Sequence, residues 1–277
     1  NRATEASTIA CGLKYFWLIR GHATEGLQWY EEILRLPALP PAAELRTLAG
    51  AIVLWYTQGA LDRARAGLTR ALALAHGPED MGVVANAEYL FGHVEHAAGN
   101  VSVARDWFAR SIEKFRLLAI PSGTGTALSA MASVTLVTGD TELAEKLLDE
   151  ATSVLQNAGP WFLTWTLYVR AILAVRRGNP DKAIALLRES LTRIRDLHDQ
   201  FAFVYALVPL AAAAALKGDD TWAARILGTR HAVTERTGVR VVDRSVQDLR
   251  EQAEREARAR LGPDRWGRAY AAGGVTS

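Results

Sequence analysis

The chain has 277 residues, of which 49% are apolar and 22% are charged. This composition is typical of a folded globular protein that is long enough for one large domain or two ordinary ones. A formal net charge of +2 is too small to drive nucleic-acid or membrane binding by bulk electrostatics. Cys11 is the only cysteine, which excludes an internal disulfide and predicts a reducing, cytoplasmic location.

The ends of the chain and its longest apolar run indicate neither secretion nor a membrane span. No basic start followed by a short apolar region is present, and the opening at Asn1 suggests a segment of a longer protein. The uncharged run FAFVYALVPLAAAAAL at 201–216 contains a proline and is shorter than the roughly 20 residues that a membrane helix needs. We therefore predict a buried helix there.

A short turn motif recurs along the whole chain. It reads RGHATEG, QGALDRA, AGNVSVA, TGDTELA, RGNPDKA and KGDDTWA, and its first glycines are residues 21, 59, 99, 139, 178 and 218. Successive glycines are 38 to 40 residues apart. Such a constant period predicts a protein built from stacked repeats.

The residues that follow each glycine form a second regular pattern. The fifth is small, the ninth is large and apolar, and the twelfth is small in the middle four copies. Spacings of four and three residues lie on one face of an α-helix, so the pattern predicts a helix that a neighbour approaches closely. The fifth and ninth positions are Gly26, Ala64, Ala104, Ala144, Ala183 and Ala223, and Tyr30, Leu68, Phe108, Leu148, Leu187 and Leu227.

Each unit therefore consists of an apolar helix, a glycine in the left-handed conformation, and a second helix that Asp, Asn, Ser or Thr caps. Breaker sequences separate the units at 36–42, 76–82, 120–125 and 157–160. One hairpin cannot bury its own apolar face, whereas six in series form a continuous core. We predict an all-α, right-handed α-solenoid over residues 1–242, a capping helix and tail at 243–277, and a concave groove lined by the first helix of each unit.

The turn glycine followed by small, large and small residues resembles the second half of a tetratricopeptide repeat. The period here is longer than the roughly 34 residues of the standard unit. HEAT and armadillo repeats have about this length but lack the glycine-to-alanine pattern. The resemblance implies about six tetratricopeptide-like (TPR-like) helical hairpins.

Both ends of the chain resemble one family of bacterial regulators. Residues 13–34, LKYFWLIRGHATEGLQWYEEIL, resemble the opening repeat of a helical repeat arm. The closing segment of that arm is similar to residues 223–238, AARILGTRHAVTERTG, and 255–274, REARARLGPDRWGRAYAAGG. The family that contains this arm is that of LuxR/AfsR/MalT-type signal-transducing (STAND, NB-ARC-like) ATPases. In that family the arm joins an ATPase to a LuxR-type helix-turn-helix. The resemblance implies both modules outside this chain, which has no phosphate-binding loop of its own.

Repeats of this family present groove residues about 13, 10, 6 and 3 positions before the linking glycine. Carried over, these positions predict a polar and aromatic groove that suits a protein, a peptide or a small effector. The alternative is that the same side chains merely line a wet surface. The candidate residues are Asn86, Tyr89, His93, His96, Ser129, Trp165 and Tyr168.

Three other features carry weaker alternatives. His93 and His96 have a spacing compatible with a metal, but no further ligands accompany them, and we predict neither metal nor cofactor. SGTGT at 122–126 could hold a phosphate at a helix start, although an inter-repeat loop is the simpler interpretation. Among the tryptophans, residues 17, 29, 55, 107 and 222 are expected in the core and residues 161 and 165 at the rim of the groove.

No catalytic dyad or paired carboxylates can be defended from the sequence, so we predict a non-enzymatic protein. The leading hypothesis is a sensor arm of a transcriptional regulator that binds its effector in the groove and contacts the neighbouring ATPase. DNA would be bound only through a module absent from this chain. The alternative is a scaffold that joins partners or self-associates without sensing, and a groove enzyme would require His93 or His96.

Overall fold

The computed structural model describes residues 2–275, apart from the side chains of Glu79 and Pro160. Fifteen α-helices and one short 3-10 turn, Pro78–Asp80, account for the regular structure of this part of the chain, which contains no strand. The helices are α1 (Arg2–Gly12), α2 (Lys14–Ile19), α3 (Ala23–Leu34), α4 (Pro41–Thr57), α5 (Leu61–Leu74), α6 (Met81–Ala98), α7 (Val101–Leu117), α8 (Pro121–Val137), α9 (Thr141–Leu155), α10 (Pro160–Arg176), α11 (Pro180–Leu197), α12 (Gln200–Leu216), α13 (Asp220–Thr237), α14 (Arg244–Leu261) and α15 (Pro263–Val275).

The turn glycines separate six consecutive helix pairs, from α2–α3 to α12–α13. All six have positive φ angles, between 67° at Gly178 and 88° at Gly99, which only glycine adopts without strain. After three of these turns the side chains of Asp140, Asn179 and Asp219 accept a hydrogen bond from the main chain and cap the next helix. The predicted all-α solenoid of TPR-like hairpins is confirmed.

The small and large positions after each turn lie inside the stack. The six large residues, from Tyr30 to Leu227, are at most 3% exposed. Small residues allow close approach from the facing helix: a Cβ atom on Gly92 would lie 2.6 Å from the Phe108 ring. Each large side chain thus fills a space that a glycine or alanine leaves open.

The loops between hairpins are shorter than the breaker sequences predicted, because a proline begins the first helix of three hairpins. Pro41, Pro121 and Pro160 stand at the first helical position, where the missing N–H has no intrahelical partner to lose. The segment 122–126 is therefore the first turn of α8, and its interpretation as an inter-repeat loop was wrong.

Two of the expected core tryptophans lie on the surface. Trp17 and Trp55 are buried and Trp107 is half-buried, but Trp29 is 52% exposed and Trp222 37% exposed. Each of these two directly precedes a residue of the buried stripe, Tyr30 or Ala223. Adjacent residues point about 100° apart around a helix, and here that turn brings Trp29 and Trp222 toward solvent, so their prediction as core residues was wrong.

The stack closes on itself. Helix α2 of the first pair packs against α12 of the sixth, the Tyr15 and Trp161 rings lie 5.9 Å apart, and Gly21 packs against Thr237. One buried apolar cluster includes residues from the first and the sixth pair. The groove predicted along the stack is consequently bounded by both ends of the array and is partly open to solvent.

The chain after the sixth hairpin borders this space, because Asp243 is one of its lining residues. Residues 239–243 are not helical, and the Arg240 N–H donates to the Thr57 carbonyl at 2.8 Å, which ties the segment to the second hairpin. Helix α14 then packs against α12 and α13, and its N-terminal end contacts α6 and α8. The end of the repeat array is thereby tied to its beginning.

The C-terminal region contains two helices where the sequence indicated one capping helix. Helix α15 packs across α13 and buries Trp266. The division at 242/243 stays a prediction, and residues 1, 276 and 277 of the predicted ranges lie outside the described residues. Within the described chain, no helix is both long and apolar enough to cross a membrane.

The crossing of α13 and α15 depends on glycine. A Cβ on Gly228 would lie 1.9 Å from the Tyr270 carbonyl oxygen, a main-chain atom that cannot move aside alone. We expect Gly228→Ala to lower the free energy of unfolding by about 1–3 kcal/mol through overpacking, as measured by urea denaturation. Gly267→Ala on α15 meets nothing within 4 Å and should be neutral or stabilising; equal effects of the two variants would contradict the close crossing.

Candidate functional site

The first helix of each of the six hairpins contributes side chains to one cavity of about 300 Å³, and so does Asp243 of the C-terminal segment. We call this space the central cavity. It lies inside the closed stack, and aromatic rings and short polar side chains dominate its wall. The residues that define it are Tyr15, Tyr56, Asn86, Tyr89, His93, Ser129, Ser133, Trp161, Trp165, Tyr168, Phe201, Tyr205 and Asp243, together with neighbouring side chains such as Lys14, Leu18 and Val53.

The structure brings six of the seven candidate residues to this cavity: Asn86, Tyr89, His93, Ser129, Trp165 and Tyr168. His96 lies elsewhere. It is 2% exposed, and its Nε2 atom is 3.8 Å from Oδ1 of Asp243. The N-terminal end of α14 covers this last turn of α6, so the position three residues before Gly99 faces protein rather than the cavity.

Several cavity residues were not among the candidates. Tyr15 and Leu18 stand six and three residues before Gly21, and Val53 and Tyr56 stand at the same distances before Gly59. The spacing rule would have found them if it had been applied to the first two units. Asp243 follows the last repeat and reaches the cavity through the tertiary path of residues 239–243, for which the sequence carries no signal.

Three aromatic rings form one corner of the cavity. The ring centroids of Trp165, Tyr168 and Tyr205 are 5.6 to 5.9 Å apart, with interplanar angles between 73° and 82°. This edge-to-face arrangement is favourable for aromatic pairs. It holds the rings nearly perpendicular to one another, and Trp161 and Phe201 extend the same wall.

The polar part of the cavity wall consists of hydroxyl groups and one carboxylate. Ser133 donates to Oδ2 of Asp243 at 3.1 Å, while the amide and hydroxyl of Ser245 donate to Oδ1 at 2.9 and 2.6 Å. Asp243 thereby caps α14 and fixes it against α8. Ser129 hydrogen-bonds Thr166 at 2.8 Å, which links α8 to α10.

His93 stands edge-on to Tyr89, with ring centroids 4.6 Å apart. Burial lowers the pKa of His93 to about 4; the Asp243 carboxylate opposes this shift and His96 adds to it. Burial also raises the pKa of Tyr89 and of Tyr168. At neutral pH the cavity therefore presents an uncharged imidazole and uncharged phenols.

The structure gives no support to the metal site considered at His93 and His96 or to the phosphate site considered at 122–126. Within the described residues, no group of three or more His, Cys, Asp and Glu side chains is placed to hold a metal. Ser122, Gly123 and Thr126 line the cavity, but the Thr126 hydroxyl bonds the Ser122 carbonyl at 2.8 Å within its own helix. Lys14 lines the same cavity, and its ammonium group lies over the Tyr15 ring, 4.7 Å from the centroid.

A second cleft, of about 590 Å³, lies along α11, α12 and α13. It is more open than the central cavity, and the exposed side chains of Arg188, Arg195 and Trp222 contribute to its lining. A guest in this cleft would keep much of its surface in water. The central cavity is therefore the stronger candidate for a binding site.

The depressed pKa of His93 predicts a pH-dependent stability. The unfolded histidine takes up its proton near pH 6.5 and the folded one only near pH 4, so stability contributed by the neutral form is lost as the pH falls through this window. The loss amounts to at most about 1.4 kcal/mol per pH unit. Urea denaturation at pH 4.5, 5.5 and 7 should give a shallower dependence for His93→Gln than for the wild type.

His76 provides the control, because it is an exposed histidine. His76→Gln should reproduce the wild-type dependence. If His93→Gln also reproduces it, the histidine is not held neutral by its environment.

This architecture is similar to that of known repeat proteins. Residues 123–196 match the model of the tetratricopeptide repeat, and no curated protein matches the chain. A crystal structure of a Rap protein complexed with competence and sporulation factor superposes with a TM-score of 0.63 at 15% identity, covering 96% of this chain and 78% of the other. The apo form of RapI gives 0.56 at 12% identity, covering 89% and 99%. The chain is an α-solenoid of TPR-like hairpins that shares its fold with Rap proteins.

Proposed function

We propose that this chain is a TPR-like sensor domain that binds a peptide, a protein segment or a small effector in the central cavity. The observation that carries the proposal is the convergence of six first helices on one space of about 300 Å³ lined by aromatic and polar side chains. A concave, largely preformed site with a few polar groups is the usual form of a ligand pocket.

The chemistry of the wall supports binding rather than catalysis. Tyrosine and tryptophan offer large contact areas and lose little conformational entropy, so they dominate binding energy where they are held rigidly. Here Trp165 and Tyr168 are held by ring contacts with Tyr205. The hydroxyl groups and the amide of Asn86 supply hydrogen bonds for orientation.

The closed stack provides a route from the cavity to the rest of the molecule. A guest that contacts α2, α6, α10 and residue 243 touches both ends of the array at once. Binding would therefore favour the closed arrangement over any arrangement in which the ends separate, which is a population shift between two states.

The regulatory context belongs to the same proposal. The similarity of 13–34, 223–238 and 255–274 to the repeat arm of LuxR/AfsR/MalT-type regulators supports an ATPase and a DNA-binding module outside this chain, in a cytoplasmic transcriptional regulator. One crystal structure of similar fold is of a Rap protein complexed with competence and sporulation factor. That supports a protein or peptide class of guest.

A scaffold is the second candidate, and the first hairpin carries the observation that favours it. Tyr15, Phe16 and Trp29 are each about half exposed. Exposed aromatic side chains are typical anchors of protein interfaces. In this alternative the surface would join partner proteins or a second copy, and the central cavity would hold only water.

Filling the cavity separates the two candidates. Pools of random pentapeptides and of small metabolites would be screened by thermal unfolding of the wild-type chain and of Asn86→Trp, whose indole would occupy the cavity. We expect at least one pool to raise the wild-type Tm, because a ligand at 100 times its Kd adds about 2.7 kcal/mol of stability, and to have no effect on Asn86→Trp.

Gln252→Trp is the matched control, since Gln252 is an exposed amide on α14. It should respond to the same pool as the wild type does. Stabilisation that persists in Asn86→Trp would place the guest elsewhere. Absence of any response, combined with sedimentation of the chain as a dimer or larger species at low micromolar concentration, would favour the scaffold.

A further inference from the structure

We propose that the central cavity is selective for a small organic cation, an ammonium group carried on an apolar or aromatic body. This inference rests on the proposed function and narrows its guest to one chemical class. It is argued from the carboxylate of Asp243, the hydroxyl of Tyr168 and the rings around them.

Asp243 brings a negative charge to the cavity wall without a full positive partner. Its side chain is about nine-tenths buried and lines the cavity. Its hydrogen bonds come from the neutral groups of Ser133 and Ser245. Among the described residues, the one basic group within 4 Å is Nε2 of His96 at 3.8 Å, which is beyond hydrogen-bond distance. A buried carboxylate of this kind gains most from a charged donor.

Oδ2 of Asp243 also retains capacity for another donor. A carboxylate oxygen accepts two hydrogen bonds, and Oδ2 accepts one, from Ser133, whereas Oδ1 accepts two from Ser245. An ammonium nitrogen has up to three N–H donors. One of them can reach this oxygen without displacing any bond that caps α14.

Tyr168 supplies an acceptor at the same end of the cavity. Its side chain is 4% exposed and lines the cavity, yet its hydroxyl has no hydrogen-bond partner in the described protein. Burial and the nearby Asp243 carboxylate raise the pKa of Tyr168, so the phenol is neutral. Leaving such a group unpaired is costly, and a bound ammonium group satisfies it.

The aromatic corner adds a surface that attracts cations. Trp165, Tyr168 and Tyr205 all line the cavity and stand nearly perpendicular to one another. A cation within about 6 Å of an aromatic ring face is stabilised by roughly 0.5–2 kcal/mol, most where water is excluded. Anionic groups gain nothing from these faces.

The remaining charges near the cavity do not cancel this preference. Lys14 also lines the cavity, but its ammonium group lies 4.7 Å from the Tyr15 ring centroid, at the part of the wall formed by α2. Burial lowers the pKa of His93 to about 4, so that side chain is uncharged at neutral pH. Arg230 keeps its charge and acts on Tyr168 and Tyr205, but it is not among the residues that line the cavity.

The volume limits the body that carries the charge. About 300 Å³ is at the lower end of ligand pockets and admits one aromatic amine or one basic side chain rather than an extended peptide. Two kinds of guest carry such an ammonium group on an apolar body. A free amine and the lysine side chain of a peptide are the two sources that the experiment distinguishes.

The test compares probes of similar size that differ in charge, by calorimetric titration at pH 7 of the full chain. The free probes are 2-phenylethylamine, 2-phenylethanol and phenylacetate, and the peptide probes are Ala-Lys-Ala with blocked ends and the same peptide acetylated on its lysine. We expect 2-phenylethylamine to bind at least tenfold more tightly than 2-phenylethanol, and phenylacetate to bind least. Preference for the unmodified peptide over all three free probes would identify a peptide as the source.

Two variants and a matched control locate the effect. Asp243→Asn keeps an oxygen that can cap α14 and should abolish the preference for the amine over the alcohol. Tyr168→Phe removes a hydroxyl that has no protein partner, so it should weaken the amine several-fold without lowering Tm. Asp219→Asn changes an equivalent helix cap that does not line the cavity and should leave both affinities unchanged.

The outcomes separate this inference from the proposed function. Equal binding of amine and alcohol, or an amine preference that survives both Asp243→Asn and Tyr168→Phe, overturns the cation assignment and leaves the binding cavity in place. If none of the five probes binds and the peptide and metabolite pools also give no response, both proposals fail together.

Discussion

The contact between the two ends of the repeat array is the constraint on which the rest of the structure depends. A TPR-like stack is quasi-linear, since each hairpin contacts only its neighbours, and by itself it would leave an open groove. Here α2 packs on α12, and the segment 239–243 ties the end of the sixth hairpin to Thr57 of the second. The groove becomes a cavity bounded by both ends of the array, and side chains of the two ends face one another across it.

Closure explains the chemistry of the central cavity. Exclusion of water depresses the pKa of His93 and raises that of Tyr168, and in a less polar surrounding a hydrogen bond or a charge has a larger effect. It also places Asp243, from outside the repeats, beside residues of α8 and α10. A site assembled from both ends of the array responds to any change in how those ends meet, which suits a sensor.

The repeat architecture could be predicted because its causes are local. The sequence shows glycines such as Gly99 and Gly139 at a fixed period, and these glycines allow the positive φ angle of the turn. It also shows the alternation of small and large residues after each turn, such as Ala104 and Phe108. The first-helix spacing likewise led to Tyr89, Trp165 and Tyr168. What the sequence could not show was tertiary. The path of 239–243, the covering of His96 by α14 and the second C-terminal helix depend on contacts between distant segments. Trp29 was misplaced because its helix position was expected to pack between repeats, whereas its side chain faces solvent.

Hydrogen exchange at the Arg240 amide tests the closure most directly. This amide lies in a non-helical segment, and its bond to the Thr57 carbonyl, 2.8 Å long, crosses from the end of the array to its second hairpin. With a closed array, exchange followed by NMR should be at least about a thousandfold slower than in an unstructured peptide, because opening then costs about 4 kcal/mol. Exchange at the rate of an unstructured peptide, with the amides of α8 and α10 still protected, would show an open solenoid and contradict the account.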